Sequence, residues 1–77
     1  MNNWKEENNA LHKTFVFKNF AEAIAWMVKA GYAIEQLNHH PEWTNIYNRV
    51  MVKLTTHDAG NTVTDKDRQL AEILDAI

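Results

Sequence analysis

From Leu11 to Lys18 the chain alternates, with Phe15 and Phe17 on one face and Thr14 and Val16 on the other. A period of two is that of a half-buried strand. Trp4-Lys5-Glu6 predicts a short partner strand, and Glu7-Asn8-Asn9 the turn between them, since asparagine tolerates left-handed backbone. After Asn19 the period changes. Asn19 predicts an N-cap with Glu22 as its capping-box partner, and a helix follows from Phe20 to about Asn38. At about 100° per residue, Phe20, Ala23, Ile24, Trp26, Met27, Val28, Ala30, Ile34 and Leu37 gather in an arc of roughly 200°, twice the minimum for a helix lying on one core. That width predicts a helix packed on its own sheet and also touching a second subunit.

Period two returns at Trp43–Tyr47, with Trp43, Asn45 and Tyr47 on one face and Tyr47 expected in the core. Asn48-Arg49 predicts a two-residue turn. Val50, Val52 and Leu54 then alternate with Met51, Lys53 and Thr55 in a fourth strand. His57 to Val63, with Gly60-Asn61 inside, reads as a loop. Thr64 followed by Asp67 predicts a second capped helix, with Leu70, Ala71, Ile73, Leu74 and Ile77 as its apolar face. The order β-β-α-β-β-α predicts an α+β fold: a four-stranded antiparallel sheet with two helices on one face. No repeat or linker interrupts it, so residues 1–77 are expected to form a single domain.

Composition narrows the function classes. A domain of 77 residues hides only roughly 60% of its unfolded surface and is marginal alone. Without cysteine it has no disulfide or thiolate metal staple, which leaves oligomerisation as the common remedy. The net charge of −2, with no basic block, removes the usual footprint of nucleic-acid binding. Glu22, Lys29, Glu35 and Gln36 break the longest apolar region, so no membrane span is expected, and the first residues lack the apolar core of a signal peptide. A soluble cytoplasmic protein is the expectation.

The densest chemistry lies between Glu35 and Tyr47. His39 and His40 precede Pro41, the only proline, which biases His40 towards extended backbone and predicts the helix end near Asn38–His39. Glu35 stands one turn before His39, close enough for a carboxylate to influence an imidazole. His57 adds a third histidine where the fourth strand finishes. His12 reads as an incidental outward strand residue. Adjacent histidines can also simply cap a helix C-terminus. Three histidines and a carboxylate match catalytic zinc in ligand type. Neighbouring side chains diverge, however, and no HExxH pattern is present, so no metal is expected. General acid–base chemistry is the third reading, because histidine exchanges protons near neutrality. Eliminating water from a carbinolamine needs one proton delivered to the departing hydroxyl and one removed from the adjacent nitrogen. No cofactor is required for that.

Glu35, His39-His40-Pro41-Glu42-Trp43, Tyr47-Asn48, Thr55-Thr56-His57, and Asp67 with Leu70-Ala71 together resemble the pterin-4a-carbinolamine dehydratases. Trp4 and the Phe15–Phe20 run extend the likeness over nearly the whole chain. The resemblance implies a lyase that converts 4a-hydroxytetrahydropterin to quinonoid dihydropterin and water in tetrahydrobiopterin recycling. It implies His39 and His57 as the principal proton-transfer residues, with His40 binding the pterin ring and sharing the acid role. Glu35 would tune the histidines, Asp67 would support the site or simply cap its helix, and Trp43 would pack either against the heterocycle or in the core. It also implies homodimers joined through the sheets, homotetramers joined through the long helix, and an aromatic amino acid hydroxylase as partner. Two departures stand out. The loop from His57 to Asp67 is about one residue longer than usual, which is expected to displace Asp67, and the N-terminal helix of many relatives is not seen. The alternative class is a non-catalytic interaction module, a dimerisation cofactor or assembly chaperone, although such a module has no chemical reason to keep His39, His40, His57 and Glu35 together.

Overall fold

The computed structural model describes residues 3–77. Strands β1 (Lys5–Glu7) and β2 (Ala10–Val16) are followed by helix α1 (Phe20–Leu37). Strands β3 (Glu42–Ile46) and β4 (Arg49–Leu54), a 3-10 turn at His57–Ala59 and helix α2 (Asp65–Asp75) complete the order. All neighbouring strands are antiparallel, in the spatial order β1-β2-β4-β3. The fold is the expected α+β arrangement of four strands and two helices.

β4 is the central axis. Val50, Val52 and Leu54 are buried, facing Ala23, Trp26, Ala30 and Ile34 of α1 and Leu70, Ala71 and Leu74 of α2 in one core. Trp26 lies among aromatic rings, with centroids 4.5 Å from Phe15, 5.4 Å from Phe17 and 6.2 Å from Trp43. At the other margin Trp4 meets Phe15 edge-on and donates its indole N–H to Asp75, whose second carboxylate oxygen pairs with Lys13 at 2.6 Å. The last turn of α2 is thereby joined to the first strands.

The wide apolar arc of α1 divides in two. Ala23, Trp26, Ala30 and Ile34 are buried, whereas Phe20, Ile24, Val28 and Tyr32, spaced by four, form an exposed stripe. At the helix start, Asn19 accepts from the Glu22 amide as expected, but the Glu22 carboxylate reaches past Asn19 to the Lys18 N–H. At the end, Asn38 turns left-handed (φ 55°), a conformation asparagine adopts more readily than most residues. Among the described residues no helix is long and apolar enough to cross a membrane.

Three local expectations need correction. β2 ends at Val16, although Phe17 still donates its N–H to the Asn48 carbonyl. The loop after β4 is more ordered than expected, with the 3-10 turn and a bridge pairing Thr56 with Thr62. The β3–β4 turn is Tyr47-Asn48, not Asn48-Arg49: Ile46 pairs with Arg49, and Tyr47 takes φ 52°. Asn48 instead reaches the residue just past β2, its side-chain amide donating to the Phe17 carbonyl. Tyr47 therefore leaves the core and is 62% exposed. A positive φ costs a bulky residue about 1–2 kcal/mol and glycine almost nothing. Tyr47→Gly is expected to raise the thermal midpoint by several degrees; an unchanged or lower melting curve would show that the turn carries no strain.

Candidate active site

The left-handed Asn38 redirects the chain as it leaves α1, and the two histidines that follow part company. His39 turns inward, its side chain only 11% exposed, and its Nε2 lies 2.6 Å from Oδ1 of Asp67. His40 turns outward and folds back on α1, with Nε2 2.8 Å from Glu35 Oε1. The carboxylate expected beside His39 thus serves His40. Both of those groups are largely solvated, so the pair contributes little stability.

Asp67 is fully buried in the first turn of α2. Its Oδ2 accepts from the Thr64 backbone N–H at 2.9 Å and from the Thr56 hydroxyl at 2.7 Å, while Oδ1 meets His39. One carboxylate therefore caps its own helix and also joins the exit of α1 to the exit of β4. Between His57 and Asp67 the chain is ordered by the 3-10 turn and the left-handed pair Gly60 (φ 84°) and Asn61 (φ 58°), before Thr62 returns to Thr56. The same turn positions His57, whose Nδ1 lies 2.9 Å from Asn61 Oδ1. A side-chain carbonyl oxygen can only accept, so His57 donates from Nδ1, and its Nε2 makes no hydrogen bond among the described residues.

His39 and His57 are thus brought to one end of the sheet through Asp67 and Thr56, with His40 beside His39 on the exposed side. Trp43 sits half-buried against Trp26 at the edge of the core. Thr56, Thr64 and Asn61, to which the sequence assigned no role at the site, hold the arrangement. A cavity of about 800 Å³ opens on the other face of the sheet, lined by residues such as His12, Thr14, Met51 and Lys53, and none of His39, His40 and His57 lines it. Among the described residues, no three histidine or carboxylate side chains converge as a metal ion would require.

Residues 1–77 match the family model described as pterin 4 alpha carbinolamine dehydratase. The chain belongs to this dehydratase family. A protein of Opitutus terrae, provisionally named a pterin-4-alpha-carbinolamine dehydratase, is 53% identical over 74 residues, covering 96% of this chain and 76% of the relative. A Solibacter usitatus protein with the same provisional name is 49% identical over 74 residues, with 96% and 77% covered. Among solved structures, a "transcriptional coactivator/pterin dehydratase" from Brucella melitensis superposes with a TM-score of 0.91 at 40% identity, over 97% of this chain and 81% of that one. The dehydratase family's fold is thus reproduced throughout the described chain.

Proposed function

We propose that this dehydratase-family chain eliminates water from 4a-hydroxytetrahydropterin to give quinonoid dihydropterin, acting as one domain. The observation that carries this reading is the buried Asp67 carboxylate, which holds His39 by one oxygen and Thr56, next to His57, by the other. In the reaction one histidine protonates the hydroxyl as the carbon–oxygen bond breaks. Another takes the proton from the adjacent nitrogen as the carbon–nitrogen double bond forms. Water and the quinonoid product leave, and no electrons are exchanged. His39 and His57 are assigned these transfers. Exposed His40, steadied by Glu35, binds the pterin ring and shares the acid role, with Trp43 flanking the heterocycle. The family names of the relatives support the substrate class.

The physiological setting that follows is tetrahydrobiopterin recycling in the cytoplasm, alongside an aromatic amino acid hydroxylase that releases the carbinolamine. The test is stopped-flow absorbance of 4a-hydroxytetrahydropterin decay. Folded protein at micromolar concentration is expected to accelerate the decay, and a rate equal to the buffer blank would sink the dehydratase reading.

A second reading has its own observation. The exposed stripe Phe20, Ile24, Val28 and Tyr32 suits a macromolecular contact, and the Brucella melitensis relative is named a coactivator as well as a dehydratase. The stripe also fits a homotetramer built from sheet-joined dimers. Val28→Glu, at a position 56% exposed, is expected to lower the mass seen by light scattering without unfolding the chain. An unchanged mass would remove the stripe from self-assembly and favour a different partner.

A further inference from the structure

Thr56 is almost wholly buried at the end of β4, and every polar group it has is engaged. Its N–H donates to the Thr62 carbonyl, and its own carbonyl accepts from the Ala59 and Asn61 amides. Its hydroxyl donates to Asp67 Oδ2 at 2.7 Å and lies 2.6 Å from the Thr64 hydroxyl. With the Thr56 proton committed to Asp67, Thr64 must be the donor in the contact between hydroxyls. The hydrogen bonds therefore run in one direction, from Thr64 to Thr56 to Asp67. A carboxylate is acceptor-only, so its remaining partner, His39 Nε2, must also donate. The other ring nitrogen of His39 makes no hydrogen bond among the described residues and is not sealed from solvent.

We propose that Thr56 and Thr64 are positioning residues that lock the Asp67 carboxylate, and through it hold neutral His39 as the Nε2–H tautomer with Nδ1 facing substrate. The role assigned to the tautomer rests on the acid–base reading of His39 given above. The hydroxyl pair matters because Asp67 reaches His39 across two chain segments. A carboxylate free to rotate about its last bond would offer His39 a shifting partner. Two donors on Oδ2 and one on Oδ1 leave it a single orientation. The arrangement is complementary to that at His57, where Nδ1 is tied and Nε2 is open.

The test reads imidazole nitrogens by ¹⁵N-correlated NMR on uniformly labelled full-length protein. In the wild type, neutral His39 is expected to show a protonated Nε2 and an unprotonated Nδ1; the opposite tautomer would overturn the proposal without any variant being made. Thr56→Val removes the hydroxyl at nearly constant volume. It is expected to give a mixture of tautomers and to lower kcat about tenfold, the rate equivalent of one hydrogen bond, with KM within roughly twofold. Thr56→Ser is expected to restore both the spectrum and kcat. A Thr56→Val protein with wild-type tautomer and kcat would overturn the proposal. Wild type that shows the locked tautomer, lost in Thr56→Val, but no dehydratase activity would sink the proposed reaction and leave the locked histidine standing.

Discussion

His39→Ala and His57→Ala are each expected to lower kcat for carbinolamine dehydration by about 10²–10⁴-fold, the usual contribution of one positioned proton-transfer group. The two should differ in everything else. His57 is exposed and makes one side-chain hydrogen bond, to Asn61, so its removal should leave the melting curve almost unchanged. His39 is largely buried, and its loss leaves Asp67 Oδ1 without its donor inside the fold. An orphaned buried acceptor costs about 1–3 kcal/mol, so this variant should melt earlier as well as react slowly. Assays therefore belong at a temperature where circular dichroism shows both variants folded. His40→Ala should act mainly on KM, because its imidazole is solvated and tied only to exposed Glu35. If both His39→Ala and His57→Ala keep more than about a third of wild-type kcat, when loss of such a group should cost 10²-fold or more, the residue assignment fails even if the protein is a dehydratase.

Asp67→Ala is expected to be the most damaging single change to stability near the site, at about 2–4 kcal/mol. It removes the acceptor for Thr64 N–H, Thr56 Oγ1 and His39 Nε2 together and empties a fully buried position. A 77-residue domain has about 4–12 kcal/mol in all, so the loss is a large share. The thermal midpoint should fall on the order of 10–30 °C. Asp67→Asn separates this structural role from the chemical one. It keeps the volume and one acceptor oxygen, but its amide N–H₂ must face either His39 Nε2 or the two donors at Thr56 and Thr64. Turned towards His39 it preserves the cap and forces the wrong tautomer. Asp67→Asn should therefore retain most of the stability lost in Asp67→Ala while remaining nearly inactive. Equal melting curves for wild type and Asp67→Ala would show that the carboxylate does not bind the segments together.

The strands and helices were legible because their periods are clean: Val50, Val52 and Leu54 could face only one way. The caps at Asn19 and Thr64 were legible for a similar reason, since few residue types satisfy a helix start. The family likeness assembled the three histidines and Asp67. What could not be read was direction. Spacing alone placed Glu35 under His39, but the left-handed Asn38 rotates the chain between them, so His40 inherits the carboxylate. Spacing likewise gave the asparagine of Tyr47-Asn48 the left-handed position, whereas Asn48 is held by its bond to Phe17 and Tyr47 bears the unfavourable angle. The apolar arc of α1 signalled two surfaces without saying where they divide. Thr56 did leave a signal. Continuing Val50, Val52 and Leu54 by two places it on the buried face, and a hydroxyl there demands a partner.

The joint between Asp75, Trp4 and Lys13 has a consequence for motion. β1 is three exposed residues at the sheet margin, and the last turn of α2 is a helix end; either would fray alone. Because Trp4 lies against Phe15 and is hydrogen-bonded to Asp75, the two margins share their tether and should exchange amide hydrogens with deuterium as one cooperative unit. Asp67 lies more than two turns up the same helix. The molecule can therefore breathe at its edge while the carboxylate that organises the histidines stays dry.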